Sequence, residues 1–462
     1  MPADAVLPSL PPWWHDEAGA DPATPPLAGD LAVDVCIVGG GFTGLWTALA
    51  LKEREPGAHV AVLEADRCGS GPSGRNGGFV HGYWAGLTGA RSALGDEGAL
   101  AIARAGERVI PAVRALAGDV WLREAGMLMV SAAPAQDAAI DEQVSVAREL
   151  GAPEHAMPLG EAEVAARIRS PAFRRGVFFP ECATVQPARL VRVLRAAVLA
   201  AGVSLHEGTR VARVEDGVVH IAGGRVTAES VVVATNAAAS GWRPVRRHVT
   251  NFGSYIALTE PAPERVAELG WTGGEAIVDG RMFLHYFRTT EDGRVAMGSG
   301  SGPIGLGGRI DGRFSLDRPT GARAEAGLRR LLPGLDGVRV ERIWGGPIDV
   351  SADHLPFFGT VPGTRIHYGL GYSGNGVGPS YLGGQILASL AAGRDDEWTR
   401  LPLRTRRVPS LPPEPIKRLG GGVVRAAIMA CEEAEEAGRR PPRAALAVAS
   451  LPRLLGMRLG TR

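Results

Sequence analysis

The chain contains 462 residues, enough for two or three domains, and its 45% apolar and 21% charged residues are ordinary for a folded globular protein. Its formal net charge of +1 provides no bulk electrostatic field, which excludes recognition of nucleic acid or acidic polymers through overall charge. We therefore expect no nucleic-acid partner.

The N-terminal segment lacks the features of an export signal. Its first 30 residues contain many prolines, no lysine or arginine, and no apolar core of signal-peptide length. Residues 1–29 are predicted to form an arm that lies over the body of the protein and buries the indoles of Trp13 and Trp14. The most apolar helical stretch, residues 190–201, contains two arginines, so no transmembrane segment is expected.

The cysteines indicate the compartment and argue against a metal site. Cys36, Cys68, Cys182 and Cys431 are scattered, without a CxxC pair or the spacing of metal ligands. We expect four free thiols in a reducing compartment, no bound metal and a cytoplasmic location.

The most informative stretch begins at residue 34. A short apolar run ends in Gly39-x-Gly41-x-x-Gly44 and passes into helix-forming residues, and a second apolar run ends in Glu64. Glycines at such a turn let the backbone approach a pyrophosphate, and an acid at the end of the next strand accepts hydrogen bonds from a ribose. The pattern predicts half of a dinucleotide site, and the alternative is a glycine-rich strand exit without a ligand.

The middle of the chain alternates between two kinds of pattern. From residue 95 to about residue 168 apolar side chains recur at helical spacing, which predicts a helical insertion. A helix beginning at Pro187 is followed by short strands, and residues 230–235 form a buried strand predicted to return the chain to the nucleotide domain. Residues 245–345 alternate apolar and polar positions, which predicts an antiparallel sheet facing the substrate.

A second glycine-rich turn lies near the C-terminal end of the folded region. Residues 366–378 run from a strand into this turn and are followed by a predicted helix over 380–392. The proline- and arginine-rich residues 401–415 are predicted to be a linker to two docked helices, the second broken at Pro452. Because the two glycine-rich turns are more than 300 residues apart, two separate segments are expected to embrace one ligand.

At this point the chain resembles the FAD-dependent D-amino-acid oxidase and glycine oxidase superfamily, and most closely its γ-glutamylputrescine-oxidase-like branch. The resemblance rests on residues 38–45, on 63–65 followed by 71–78, and on 371–377, and it covers roughly residues 10–400. The Ser-Gly-Arg-Asn-Gly-Gly motif within 71–78 is the most specific of these signals.

The resemblance implies an α/β fold with a Rossmann-type, glutathione-reductase-like FAD-binding domain and a substrate domain built of an antiparallel sheet plus helices. The discontinuous FAD-binding domain is expected over 30–85, 150–240 and 345–400. The substrate domain is expected over 86–149 and 241–344, and residues 401–462 are the linker and C-terminal helices.

The resemblance also assigns roles in binding FAD. The pyrophosphate would face Gly39, Gly41 and Gly44, the ribose Glu64, and the adenine Val211. Thr235 begins Thr-Asn-Ala where relatives usually have Thr-Gly-Ala, a departure that still permits close approach. The loop past the pyrophosphate and flavin ring would contain Ser73, Gly74, Arg75, Asn76, Gly77 and Gly78, and the turn under the pyrimidine edge Gly374, Asn375, Gly376 and Val377.

The chemistry implied is oxidation of an amine or amino acid at its carbon–nitrogen bond, with hydride passing to flavin N5 and the imine then hydrolysed. On the strand around residue 286, Tyr286 and Arg288 share one face, and Arg288 is predicted to bind a carboxylate or phosphonate of the substrate. The alternative for Arg288 is a solvent-exposed pairing with Glu291 or Asp292. His81 and His354 complete the predicted catalytic set.

The acceptor and substrate are left open by the sequence. Lys52 and Lys417 are the only lysines, so no lysine is expected at the flavin to activate oxygen, and oxidase and dehydrogenase behaviour both remain possible. FAD is expected to be non-covalent because no cysteine neighbours residues 345–347. The competing functions are an NADPH-dependent flavin hydroxylase and a non-catalytic partner subunit that keeps the FAD fold. The C-terminal helices are candidates for homo-oligomer or membrane-surface contact.

Overall fold

The computed structural model describes residues 11–454 of the chain. Its helices are α1 (Trp13–Ala18), α2 (Phe42–Arg54), α3 (Leu87–Gly106), α4 (Val109–Arg114), α5 (Asp137–Glu149), α6 (Glu161–Arg167), α7 (Pro187–Ala200), α8 (Pro263–Glu268), α9 (Arg318–Leu331), α10 (Pro379–Ala391), α11 (Pro402–Thr405), α12 (Ile416–Glu436) and α13 (Arg443–Leu454). Its strands are β1 (Leu31–Val38), β2 (Val60–Leu63), β3 (Phe79–His81), β4 (Met127–Val130), β5 (Met157–Leu159), β6 (Gly176–Phe179), β7 (Cys182–Thr184), β8 (Ser204–His206), β9 (Val211–Glu215), β10 (Val218–Ile221), β11 (Gly224–Val233), β12 (Val249–Thr259), β13 (Ala276–Asp279), β14 (His285–Thr289), β15 (Val295–Ser299), β16 (Val340–Ser351), β17 (Phe357–Thr360) and β18 (Ile366–Leu370).

The first sheet contains the predicted nucleotide-binding strands. Its order is β17-β18-β11-β1-β2-β8, with β9 and β10 attached as an antiparallel extension of β11. β1 pairs in parallel with both β11 and β2, and β18 and β8 continue the parallel arrangement. Cys36 and Ile37 are fully buried because both faces of β1 are covered: Ile37 packs in a core with α2 and α10, and Cys36 packs in a core with side chains of β9 and β10. The predicted Rossmann-type sheet is confirmed.

The second sheet is mainly antiparallel, in the order β16-β12-β15-β14-β13-β4-β6-β5, and only β13 and β4 pair in parallel. Strand β4 lies inside the predicted helical insertion. β5 and β6 also join this sheet, although they fall in the segment from residue 150 that the sequence analysis expects in the FAD-binding domain. The boundary at 345 falls within β16. β4, β5 and β6 are only three or four residues long, which is too short for hydrophobic periodicity to distinguish a strand from a helix.

The two ends of the described chain pack on this body. Trp14 is fully buried, with its ring 6.0 Å from that of Trp344, which agrees with the predicted arm; residues 1–10 of that arm lie outside the described range. α12 and α13 pack against each other as a helical hairpin. α13 continues through Pro452 to Leu454, so the predicted break at Pro452 is wrong.

Candidate active site

A cavity of about 780 Å³ opens at the carboxyl ends of β1, β2 and β11. This is where parallel α/β sheets bind nucleotides, because helix N-termini and strand ends meet there. The predicted cofactor residues that line it are Gly39, Gly41, Glu64, Ser73, Arg75, Asn76, Val211, Thr235, Gly374, Gly376 and Val377. Residues from both glycine-rich turns therefore face one cavity.

The first turn has no room for side chains. Gly39 has φ +112°, and a Cβ there would lie 2.6 Å from the carbonyl oxygen of Ala234. A Cβ on Gly44 would overlap the carbonyl oxygen of Gly39, so Gly44 allows the helix to pack on the strand and does not itself line the cavity. Gly41 is the N-cap of α2, whose N-terminal N–H groups carry the partial positive charge that suits a pyrophosphate.

Glu64 lies at the adenosine end of the cavity that the resemblance implies. Its carboxylate accepts hydrogen bonds from the backbone N–H of Gly40 at 2.7 Å and of Asp66 at 3.0 Å, and burial raises the pKa of Glu64 against these two contacts. Each carboxylate oxygen keeps a second lone pair. The residue is thus held in place and can still accept a hydroxyl from a ribose.

The Ser-Gly-Arg-Asn-Gly-Gly loop is held by its own side chains. Ser73 Oγ accepts from the N–H of Phe42 at 2.9 Å, which caps α2. Asn76 donates to the carbonyl of Ser73 at 2.8 Å and accepts from the N–H of Gly78 at 2.7 Å. Arg75 donates to the carbonyl of Ser70 at 2.9 Å. The polar residues of the motif therefore shape the loop that forms one wall of the cavity.

Two glycines of this loop pack away from the large cavity. A Cβ on Gly74 would overlap the carbonyl of Gly69, and a Cβ on Gly78, which has φ +73°, would overlap the carbonyl of Val185. Gly77 faces the ring of Tyr286 instead. The loop can approach its neighbours only because these positions have no side chain.

A buried carboxylate that the sequence analysis did not select holds the second turn. Asp349 of β16 accepts from the N–H of Gly371 at 2.6 Å, and its backbone carbonyl accepts from the N–H of Ser373 at 2.8 Å. The side chain of Asn236 also hydrogen-bonds to this carboxylate. Burial raises the pKa of Asp349 to about 7, although these hydrogen bonds act in the opposite direction.

The backbone conformation of Asn236 accounts for the sequence Thr-Asn-Ala at residues 235–237, where relatives usually have Thr-Gly-Ala. Its φ is +46°, in the left-handed region that favours glycine and that asparagine tolerates better than most residues. The asparagine therefore keeps the backbone shape of the turn after Thr235 and adds a side-chain contact to Asp349.

A second cavity of about 330 Å³ adjoins the first. Both are lined by Arg75, Asn76, Tyr372, Gly374 and Val377, and Gly77 and Asn375 line the smaller one. Much of its wall is apolar, with Met127, Met129, Phe179, Phe252, Met282 and Phe283. The predicted residues Tyr286, His81 and His354 line this cavity as well.

The polar groups of the smaller cavity are mostly neutral. Tyr286 shares a hydrogen bond of 2.9 Å with the Ser254 hydroxyl, and burial raises the pKa of Tyr286 to about 12. Burial lowers the pKa of His81, whose Nδ1 lies 2.8 Å from the carbonyl of Gly82, so the imidazole is neutral at neutral pH. The buried hydroxyl of Tyr83 has no hydrogen-bond partner among residues 11–454. His354 has φ +59°.

Arg288 does not occupy the position predicted for it. The side chain is buried, which also contradicts the solvent-exposed alternative, and its guanidinium donates to the carbonyls of Val185 at 2.6 Å and Thr289 at 3.1 Å. Burial and nearby Arg123 lower the pKa of Arg288 to about 9. Arg288 lies outside the smaller cavity, because the Gly78 backbone packs between them.

The C-terminal helix α12 supports the wall of this cavity, which the sequence analysis did not predict. Glu432 accepts from the N–H groups of Met282 at 2.6 Å and Phe283 at 3.2 Å, and it pairs with Arg281 at 2.9 Å. In the linker, Arg406 forms an ion pair with Asp353, which also lines the cavity. Both charged contacts are largely buried.

The first testable prediction concerns Asp349. Because its folded-state pKa of about 7 exceeds the ordinary value of 3.8, its contribution to stability is complete below about pH 4 and is lost as the pH rises towards 7. Asp349→Asn keeps an acceptor for Gly371 and removes the titration. We expect the free energy of unfolding of this variant, relative to the parent, to rise by roughly 2–4 kcal/mol between pH 4 and pH 8.

Urea unfolding at a series of pH values measures this difference. The matched control is Asp336→Asn, at an exposed position, which should leave the pH profile of the parent unchanged. If Asp349→Asn and the parent show parallel profiles, the buried carboxyl does not titrate in this range.

Comparison with known proteins agrees with this geometry. The chain is 30% identical over 400 residues to gamma-glutamylputrescine oxidoreductase of Escherichia coli (strain K12), which covers 82% of this chain and 90% of the relative. It is 28% identical over 414 residues to the probable oxidoreductase OrdL of Rhizobium meliloti (strain 1021), covering 87% and 92%.

The fold is shared with solved structures. Glycine oxidase from Geobacillus kaustophilus superimposes with a TM-score of 0.68 at 21% identity, covering 82% of this chain and 100% of that chain. The model of the DAO family, described as FAD dependent oxidoreductase, matches residues 34–390. The chain therefore belongs to the DAO family of FAD-dependent oxidoreductases.

Proposed function

We propose that this protein oxidises the carbon–nitrogen bond of an amine or amino acid, with FAD bound non-covalently in the larger cavity. The observation that carries the proposal is the junction of the two cavities at Tyr372, Gly374 and Val377. If FAD binds with its flavin ring at this junction, its dinucleotide part would lie beside the first glycine-rich turn, and the reactive face of the ring would point towards the smaller, apolar cavity.

The residues present fit FAD. The first turn excludes side chains where a pyrophosphate would lie, Glu64 offers acceptors at the ribose position, and Val211 lines the same adenosine end of the cavity. When bound, FAD supplies a two-electron acceptor for the hydride on the carbon next to the substrate nitrogen. α10 begins at Pro379, directly after the Gly374–Val377 turn, so its N-terminal partial positive charge would stabilise negative charge at that edge.

The site would select the substrate amine in its neutral form. His81 stays neutral because it is buried, and the charged residues Arg75 and Asp353 are already bonded to the protein. Methionine and phenylalanine walls would hold an aliphatic or aromatic part of the substrate and exclude water. The hydroxyls of Tyr286 and Tyr83 would then orient the nitrogen. The product imine is hydrolysed in water.

Neither lysine lines a cavity. Lys52 donates to the carbonyls of Pro56 at 2.6 Å and Ala58 at 2.9 Å, and Lys417 donates to those of Arg246 and Val249 at 3.2 Å. The four cysteines also lie outside both cavities, which supports non-covalent FAD. A lysine for oxygen activation is therefore missing from the described walls.

A side chain introduced into the first glycine-rich turn tests FAD binding. A Cβ on Gly41 would lie 2.9 Å from Ser73 Oγ, in the space of the cofactor, so Gly41→Val should purify without the yellow flavin colour. The control Gly57→Val places its side chain in open space and should bind FAD as the parent does. A fully yellow Gly41→Val protein would refute the assignment of this cavity.

Anaerobic mixing with a panel of amines tests the reaction. We expect loss of the yellow absorbance with an amine or amino acid and no reaction with NADPH, whereas reduction by NADPH would favour a hydroxylase. A purified parent protein without flavin would favour a non-catalytic subunit.

Tyr286→Phe removes the hydroxyl and keeps the ring. It should slow this bleaching about 10-fold or more with FAD content unchanged. The matched control Tyr368→Phe, at a residue outside both cavities, should bleach at the parent rate. Equal rates in all three proteins would show that Tyr286 does not orient the substrate.

Reoxidation of the reduced enzyme tests the acceptor. Because no lysine reaches the site, we expect slow reoxidation in air-saturated buffer and faster reoxidation by an artificial electron acceptor. Stopped-flow absorbance measures both rates. Reoxidation in air as fast as in efficient flavin oxidases would contradict this expectation.

A further inference from the structure

α12 presents an apolar face to solvent. Ile416, Leu419 and Val423 are 61%, 65% and 60% exposed, and their spacing places them on one side of the helix. Gly422 and Ala426 on the same side are exposed as well. Neighbouring large aliphatic side chains at this exposure indicate an interaction surface.

α13 also exposes large aliphatic side chains to solvent. Leu446, Leu451 and Leu454 are 47%, 45% and 76% exposed, while Pro452 on the other side of the helix is buried. The flanking arginines are exposed: Arg439, Arg440, Arg443 and Arg453. From residue 437 to residue 462 the sequence contains six arginines and no aspartate or glutamate.

α12 is fixed to the body of the protein through the side opposite its apolar face. Besides the contacts of Glu432, Glu436 pairs with Arg330 at 2.8 Å, and Arg425 donates to the carbonyl of Ser301 at 3.0 Å. Ile428 and Cys431 are buried on this side. The hairpin therefore has one attached side and one side that is available to a partner.

We propose that the α12–α13 hairpin docks on the surface of a bilayer that contains anionic lipid. Exposed leucine, isoleucine and valine side chains would enter the boundary between headgroups and acyl chains, and the arginines would contact lipid phosphates. Among residues 11–454, none of the helices has the length and hydrophobicity of a transmembrane span.

An anionic bilayer fits this surface better than a second copy of the chain does. In a symmetric dimer the six arginines of residues 437–462 would need acidic partners from outside that segment, because the segment contains none, whereas an anionic bilayer supplies lipid phosphates to all of them. The position also has a consequence for the site. Because Glu432 holds the backbone of Met282 and Phe283, the wall of the smaller cavity lies directly against the docking helix.

Co-sedimentation of the full-length holoenzyme with vesicles tests the proposal. The probes are vesicles of phosphatidylcholine alone or of phosphatidylcholine with phosphatidylglycerol. We expect binding to the anionic vesicles, weakened by added salt, and little binding to neutral ones. The double variant Leu419→Ser/Val423→Ser should bind at least about 10-fold more weakly. The matched control Leu199→Ser, on α7 of the other sheet's layer, should bind as the parent does.

Replacement of Arg439, Arg440 and Arg443 by glutamate should abolish binding to anionic vesicles while FAD content stays unchanged. Absence of parent binding to anionic vesicles, or equal binding to neutral and anionic vesicles, overturns the proposal. A parent dimer in light scattering that Leu419→Ser/Val423→Ser dissociates, together with no vesicle binding, would assign the patch to a second copy instead. These readouts do not depend on the proposed reaction.

Discussion

The carboxylate of Asp349 connects three segments that the site requires to be close together. It lies at the end of the antiparallel sheet, on β16, and bonds to Gly371 after the parallel strand β18 and to Asn236 after β11. A buried acid is costly unless its oxygens are hydrogen-bonded, so this position is stable only when the two sheets are correctly joined. The second glycine-rich turn, and with it the junction of the two cavities, depends on that contact.

In the proposed function the larger cavity would bind the cofactor and the smaller cavity would bind the substrate. The larger is shaped by backbone, because glycines at residues 39, 41 and 44 let strand, helix and ligand approach more closely than side chains allow. The smaller is shaped by apolar side chains and by polar groups whose burial disfavours charge, such as Tyr286 and His81. In the proposed function, a neutral amine would meet the cofactor where these environments join. The protein therefore has to align reactants and exclude water, and needs no strong acid or base.

The parts of the site that were predictable from sequence are local. The strand, turn and helix around Gly41 and the acid Glu64 occur within one continuous unit, so spacing alone identifies them. Arg288 shows the limit of such reasoning. Alternation along β14 gives the face that Arg288 shares with Tyr286, but the backbone of Gly78, from a distant segment, packs between Arg288 and the cavity that Tyr286 lines. Asp349 and Glu432 were missed because a single acid has no pattern, and its partners are known only once distant segments are assembled.

The most direct test of a single FAD held between the two glycine-rich turns is a crystal structure of the purified yellow protein. We predict density for one FAD along the larger cavity, with the adenine near Val211 and the flavin ring at the junction formed by Tyr372, Gly374 and Val377. Density for the ring outside this junction, or a second turn that contacts no part of the cofactor, would contradict this arrangement.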